Sequence, residues 1–344
     1  MPIAYKPARD TIPRYAVFGK LPRRADFVRI GGDHPLPREF DELIGRSLAL
    51  LQRQSGWIEE SCLGTGACDF QFTSRDGREC FTGVLHPSRD ESGRVFPLVA
   101  GILLPAQAVV PYAPELSIAN ELYFSGLREQ LSSAVENAVD LVACRQFLET
   151  WAAPNPHAGE DIALGEEILK RHMNRTSAGE WHVALQEAGL GGLDDLLLAS
   201  TLSDSTMQRK AAPVLLPLSG KEGEDTLDLA AWLALYRVAS GQHCTPDYLC
   251  GFRNGQRVLA VSSGRFGEWF LAALWGMKPM PPADGSNTAW KQHPMQTEFA
   301  LTLGRLLLDP TVNLAQLIEA LERIVRNLAD KPVRNKGFHF SFVN

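Results

Sequence analysis

Two short runs, Arg75-Asp76-Gly77-Arg78 and Asn254-Gly255, each sit between stretches that read as short strands. Asp-Gly and Asn-Gly favour tight turns whose twist matches that of paired strands, because both positions accept positive φ. The spacing predicts one hairpin from 70–73 and 80–85, and a second from 248–253 and 256–261. A chain with two such hairpins is neither an all-helical bundle nor a purely parallel sheet. Val95–Leu104 is apolar on both faces and reads as a central strand covered on two sides. Its Pro97 must lie at the strand start or at a position that donates no hydrogen bond. Further strand patterns occur at Tyr15–Phe18, Pro213–Leu218 and, alternating aromatic with polar residues, Gly337–Phe342.

Helical spacing fills most of the rest. After Pro35 and Pro37, the residues Phe40, Leu43, Ile44, Ser47, Leu48 and Leu51 recur on one face. Helix patterns follow at 115–133, 135–151, 160–173 and 192–201, then at 226–240 and, as a short amphipathic stretch, 266–275. Beyond Gly276 a proline-bearing stretch reads as linker. Two more helices, 296–308 and 312–329, come next, broken by Asp309-Pro310. Leu314, Leu317, Ile318, Leu321, Ile324, Val325 and Leu328 give the last a wide apolar face, expected to pack on its own domain. Strands, a helical block and then strands imply an α/β protein: one mixed sheet with helices on both faces.

At 344 residues, with 45% hydrophobic and 22% charged side chains, the chain has ample material for a core and is not disordered. Its net charge of −6 argues against nucleic acid as the main partner. Residues 1–53 nevertheless hold ten basic and six acidic side chains, a basic region on an acidic protein. No apolar run approaches the roughly 20 residues that span a bilayer, and the N-terminus lacks an apolar signal core. The expectation is a cytoplasmic protein without membrane insertion. The six cysteines are too dispersed for a disulfide framework and read as buried free thiols.

No motif carries recognisable catalysis. Gly19-Lys20 lacks the upstream glycine and following Ser/Thr of a phosphate loop. The cysteines lack zinc-site spacing, and there is no G-x-S-x-G elbow. His86-Pro87-Ser88 puts a base and a hydroxyl in one turn, where they do not face each other as a nucleophile and base must. The reading is no metal, no cofactor and no catalytic residue. The basic loop says more: Lys20, Arg23, Arg24 and Arg29 surround Asp26 and Phe27. Such a cluster either grips an acidic or phosphorylated partner, with the aromatic as an anchor, or is a solvated loop.

Two segments resemble the TagF (ImpM) family of type VI secretion-associated proteins. The first is Phe18–Arg29, with Gly19, Lys20, Pro22, Arg23, Arg24, Asp26 and Phe27; the second is Phe81–Leu98, with Ser88, Asp90, Gly93, Arg94 and Pro97. The chain departs from the family pattern at Ala25, where glycine is usual, and at Thr82, where tryptophan is usual. Arg253–Gly276 is similar to the family's closing region. The resemblance implies a three-layer α/β/α sandwich with a largely antiparallel sheet over residues 1–276, the helical block 115–200 inserted between strands, and a helical extension at 277–344. It implies a non-enzymatic, post-translational negative regulator of type VI secretion assembly that binds a forkhead-associated scaffold protein. The alternatives are a structural adaptor of the secretion apparatus and a phosphate-handling enzyme. Asp26, Asp90 and Arg94 are expected to tie the two motif loops into one surface, against the rival that they are fold signatures only.

Overall fold

A computed structural model describes residues 14–31, 33–53, 62–137, 141–152, 158–187, 213–221, 223–239, 247–262, 265–276 and 294–330. Its strands are β1 (Tyr15–Gly19), β2 (Val28–Ile30), β3 (Cys68–Thr73), β4 (Glu79–His86), β5 (Leu98–Pro105), β6 (Val214–Pro217), β7 (Asp247–Arg253) and β8 (Gln256–Ser262). They form one sheet in the order β2-β1-β5-β4-β3-β7-β8-β6. Every pairing among these strands is antiparallel.

Both hairpins form. Phe70 lies opposite Gly83 in β3–β4, and Arg253 opposite Gln256 in β7–β8. Asn254 (φ 51°) and Gly255 (φ 78°) both take the left-handed backbone that a two-residue hairpin loop requires. β5 lies between β1 and β4, so the doubly apolar run is a central strand. It begins at Leu98, which leaves Pro97 just outside the ladder. β2 corrects the reading of the basic segment from Lys20 to Arg29 as loop throughout: its residues Val28–Ile30 pair with Val17–Gly19. Three residues are too few for alternation to show in the sequence.

The described helices are α1 (Pro35–Gln52), α2 (Ala106–Val109), α3 (Ala113–Ala119), α4 (Glu121–Glu136), α5 (Leu141–Trp151), α6 (Ala158–Arg175), α7 (Ala178–Glu187), α8 (Asp225–Ala239), α9 (Phe270–Trp275), α10 (Pro294–Leu308) and α11 (Leu314–Asp330). α1 starts as its sequence demands. Pro35 needs no N–H partner in the first turn, and the His34 ring accepts from the Leu36 N–H at 3.3 Å. The expected helix at 115–133 is two, broken at Asn120, and α7 replaces nothing foreseen. The expected helix 192–201, the strand 337–342 and Cys244 lie outside the described residues. The other five cysteines are buried free thiols. Among the described residues no helix is long and apolar enough to cross a membrane.

Strand alternation sorts side chains to the two faces of the sheet. Ala16, Phe18, Phe70, Phe72, Phe81, Val99 and Leu103 join α1 and α9 on one side. Tyr15, Val17, Val84, Leu98, Ala100 and Ile102 join α4 and α5 on the other. Along that second face, Leu216, Tyr248, Leu259 and Val261 pack with α8. The result is an α/β/α sandwich. α11 packs on α8 and α6, with Leu314, Leu317 and Leu321 buried in the same cluster, so its apolar face is spent on its own chain. Phe40 centres the first face: its ring lies 4.7 Å from Phe70, 4.8 Å from Phe72 and 5.7 Å from Phe270. Truncating it to Ala is worth about 3–5 kcal/mol on the usual core scale.

The seam β3–β7, with Phe70 opposite Leu249, joins the first five strands to the last three. Asp247 sits fully buried beside it and accepts from the Thr73 N–H and the Phe266 N–H, both at 2.8 Å. Burial pushes its carboxyl up to about 7, against the pull of those two donors and of Arg265. The folded chain thus holds this proton more tightly than the unfolded chain, whose aspartate titrates near 3.8. The group's contribution to stability is greatest below about pH 4 and is lost as pH rises through about 7. Asp247→Asn is expected to abolish that pH slope in urea titrations. It should also cost about 1–3 kcal/mol, because the amide can accept from only one of the two backbone donors.

Candidate functional site: the paired motif loops

The two motif segments meet at one corner of the sheet, and a single carboxylate joins them. Asp90 Oδ2 accepts from Lys20 Nζ at 2.7 Å and from Arg94 Nε at 2.7 Å. Its Oδ1 accepts from the Ser92 N–H (3.0 Å), the Ser92 hydroxyl (2.7 Å) and the Arg94 N–H (2.9 Å). The Asp90 side chain is 0% exposed, while Arg94 is 66% exposed. The hydrogen bond from Lys20, with those from Ser92 and Arg94, holds the Asp90 carboxyl well below the usual carboxylate range despite its burial. Aspartate suits this place because its short side chain can fold back on the turn that follows it. Gly93 (φ +86°) closes that turn, donating to the Asp90 carbonyl at 2.9 Å.

Gly19 ends β1 at φ +136°, directly against the backbone where β5 begins. A Cβ there would be driven into the Pro97 carbonyl oxygen. Glycine therefore lets β1 and the segment entering β5 approach, which aims Lys20 at Asp90. Leu21 is fully buried and pins the loop to the α4–α5 side. The chain then turns over Pro22, closed by the Arg24 N–H to the Leu21 carbonyl at 3.1 Å. A second tie joins the loops through backbone: the Glu91 N–H donates to the Arg24 carbonyl at 3.3 Å.

The remaining residues face outward. Arg23, Arg24, Asp26 and Arg89 are exposed. Phe27 is 38% exposed and meets Phe96 edge-on at 5.3 Å. Arg29 lies over the Phe27 ring at 5.3 Å and pairs with Asp41. Asp26 is not part of the tie expected of it. Lys20 takes that place, because the backbone turn points Asp26 to solvent while Lys20 leaves β1 directly beside the buried Asp90. Ser88 is buried, and its hydroxyl has no partner among the described residues. His86 Nδ1 is 2.8 Å from the Pro87 carbonyl oxygen, and burial lowers its pKa. The two do not form a nucleophile–base pair. The described residues of the loops display a cationic surface with one aromatic on it. Among the described residues no group of three or more His, Cys, Asp and Glu side chains is placed to hold a metal ion.

A second polar cluster has no counterpart in the sequence reading. Buried Asp69 pairs with Arg128 and lies 3.6 Å from Arg257, which also reaches Asp225 at 3.2 Å. Arg128 further bonds Glu121 at 2.8 Å. Burial raises the Asp69 carboxyl despite both guanidinium groups. These residues come from β3, α4, β8 and α8, so no local spacing announces them. The cluster crosses the β3–β7 seam and reads as structural.

Residues 16–151 match the family model described as the TagF N-terminal domain, type VI secretion system-associated. The crystal structure of PA0076 from Pseudomonas aeruginosa PAO1 is 26% identical over a match covering 41% of this chain and 64% of that one, with a TM-score of 0.33. The match thus spans less than two thirds of that protein's length, and a likeness at that score carries no argument about fold. No curated protein matches the chain. Residues 16–151 are therefore similar to the N-terminal domain of TagF, a type VI secretion system-associated family. Both motif segments fall inside the match; Arg253–Gly276 lies outside it.

Two outcomes test the geometry. Gly19→Ala should destabilise the fold by about 3 kcal/mol, from combined backbone strain and overpacking, read as a lower urea midpoint. Asp90→Asn should leave the 20–29 loop open to limited proteolysis at pH 7. Because the folded carboxyl is held low, wild-type protection is present above the ordinary aspartate value. The difference between wild type and variant should close only as pH falls below about 4.

Proposed function

We propose that this protein is a post-translational negative regulator of type VI secretion assembly, acting by binding a forkhead-associated scaffold protein. The observation that carries this reading is the Lys20–Asp90–Arg94 tie. It joins the two segments inside the TagF match into one surface and leaves Arg23, Arg24, Phe27 and Arg89 facing solvent. A buried carboxylate that fixes two loops is a way of presenting a surface rather than of turning over a substrate. Exposed arginines beside a half-exposed aromatic are the composition of interaction hot spots. Binding without chemistry also fits Ser88 and His86, whose reactive atoms are turned into the structure. The action belongs to the cytoplasm, where the scaffold's assembly would be held back before firing.

The test is co-purification of the cognate scaffold with the full chain, alongside secretion in cells that overproduce it. Wild type should capture the scaffold and suppress secretion. Arg23→Glu/Arg24→Glu should lower capture by about tenfold or more, the scale of losing two interface charges, with an unchanged melting temperature. Absence of any complex, with secretion unaffected, overturns the proposal. Retention of the protein in assembled sheath or baseplate fractions would favour a structural adaptor instead.

A further inference from the structure

At the far edge of the sheet from the motif loops, α7 and the β6–α8 junction enclose a cleft of about 370 Å³, within the range of ligand-binding clefts. Trp181 and Trp232 line it, their ring centroids 4.1 Å apart and their planes inclined by 31°. Trp232 is buried behind Trp181, its Nε1–H donating to the Pro217 carbonyl at 2.9 Å. Around the cleft stand Glu180, Glu187 and Asp228, and among the described residues that line it there is no lysine or arginine. Glu180 and Glu187, seven residues apart on α7, are exposed, and neither carboxylate has an ion-pair partner among the described residues. Asp228, at the buried end, is held by the Ser219 N–H at 3.0 Å and by His172 Nε2 at 3.1 Å.

We propose that this cleft binds a basic segment of a protein partner, seating an arginine or lysine side chain against Trp181, the half-buried member of the pair. A cation is drawn to a tryptophan face, and the rim carboxylates of Glu180 and Glu187, without an ion-pair partner among the described residues, complete the complementarity. An extended segment suits the shape. β6 is the last strand of the sheet, and the 10-residue α7 makes a wall about 15 Å long, the reach of four or five extended residues. The site shares no residue with the basic loop surface and does not depend on the scaffold-binding proposal. The two surfaces have opposite charge preference and lie at opposite edges of the sheet.

The experiment is isothermal titration of the full chain with a tetra-arginine peptide, with tetraglutamate and spermidine in parallel. Saturable heat is expected for tetra-arginine and none for tetraglutamate. Glu180→Gln/Glu187→Gln, both at exposed positions, should weaken the peptide by about tenfold, two surface charge pairs' worth. Trp181→Ala should weaken it comparably. Glu319→Gln/Glu322→Gln on α11 removes the same charge elsewhere and should leave binding unchanged. The proposal is overturned if tetra-arginine gives no saturable binding, or if the α11 pair weakens it as much as the cleft pair. It is also overturned if spermidine binds as tightly as the peptide, which would make the ligand a small amine.

Discussion

The antiparallel seam between β3 and β7 is the constraint on which the rest of the structure rests. On one side of it lie the five strands supplied by residues 15–105; on the other, three strands supplied by residues 214–262. The seam is sealed from both faces. On one face, Phe40 of α1 is wedged among Phe70, Phe72 and Phe270, so the first and last thirds of the chain share one apolar core. On the other, Asp69 is held by Arg128 and approached by Arg257 from the next strand but one. Arg265 adds a third clasp. It donates to the Thr73 carbonyl at 2.6 Å, lies over the Phe72 ring, and bonds Glu39 at 2.9 Å. Although partial burial works against it, the bonds from Arg265 and Arg75 hold the Glu39 carboxyl below its usual value.

This arrangement explains why a domain match that ends at residue 151 is not a free-standing half of the molecule. β3 would be an open edge without β7, and unpaired edges are what folded sheets avoid. α1 would lose α9, whose Leu271 N–H donates to the Ser47 hydroxyl at 3.2 Å. The motif corner, by contrast, depends on little beyond its own segments. Gly19, Lys20, Leu21, Asp90 and Pro97 all belong to the first five strands and their connections. The motif corner and the opposite edge of the sheet are therefore built from different parts of the chain.

Much of the fold was legible in advance, for local reasons. Asp76-Gly77 and Asn254-Gly255 specify hairpins through backbone conformations that few residues accept. The apolar spacing of Phe40 to Leu51 specifies one helical face. The doubly apolar 95–104 run specified a central strand, short of its true end by one residue and early by three, because Val95 and Phe96 belong to the turn bridge that precedes it. β2 and α7 were not legible. β2 is three residues held by its pairing with β1, and α7 lay in a stretch without a clear apolar period. At the site, Asp90 and Arg94 meet as expected, but the third member of the tie is Lys20 and not Asp26. Choosing Lys20 over Asp26 requires the direction in which the chain leaves β1, and that is set by the close approach of Gly19 to Pro97.

The sequence by itself determined the hairpins, the helical faces, the basic loop and the family resemblance of residues 16–151, because each depends on residues near one another in the chain. Only the tertiary structure decided which strand borders which, where the buried charges Asp69 and Asp247 find their partners, and that Trp181 and Trp232 share a cleft rimmed by carboxylates. The partners of Asp69, Asp247 and Trp181 lie 19 to 188 positions away along the chain. No local propensity favours them, and they exist because burying a polar group without a partner costs more than the chain can recover elsewhere.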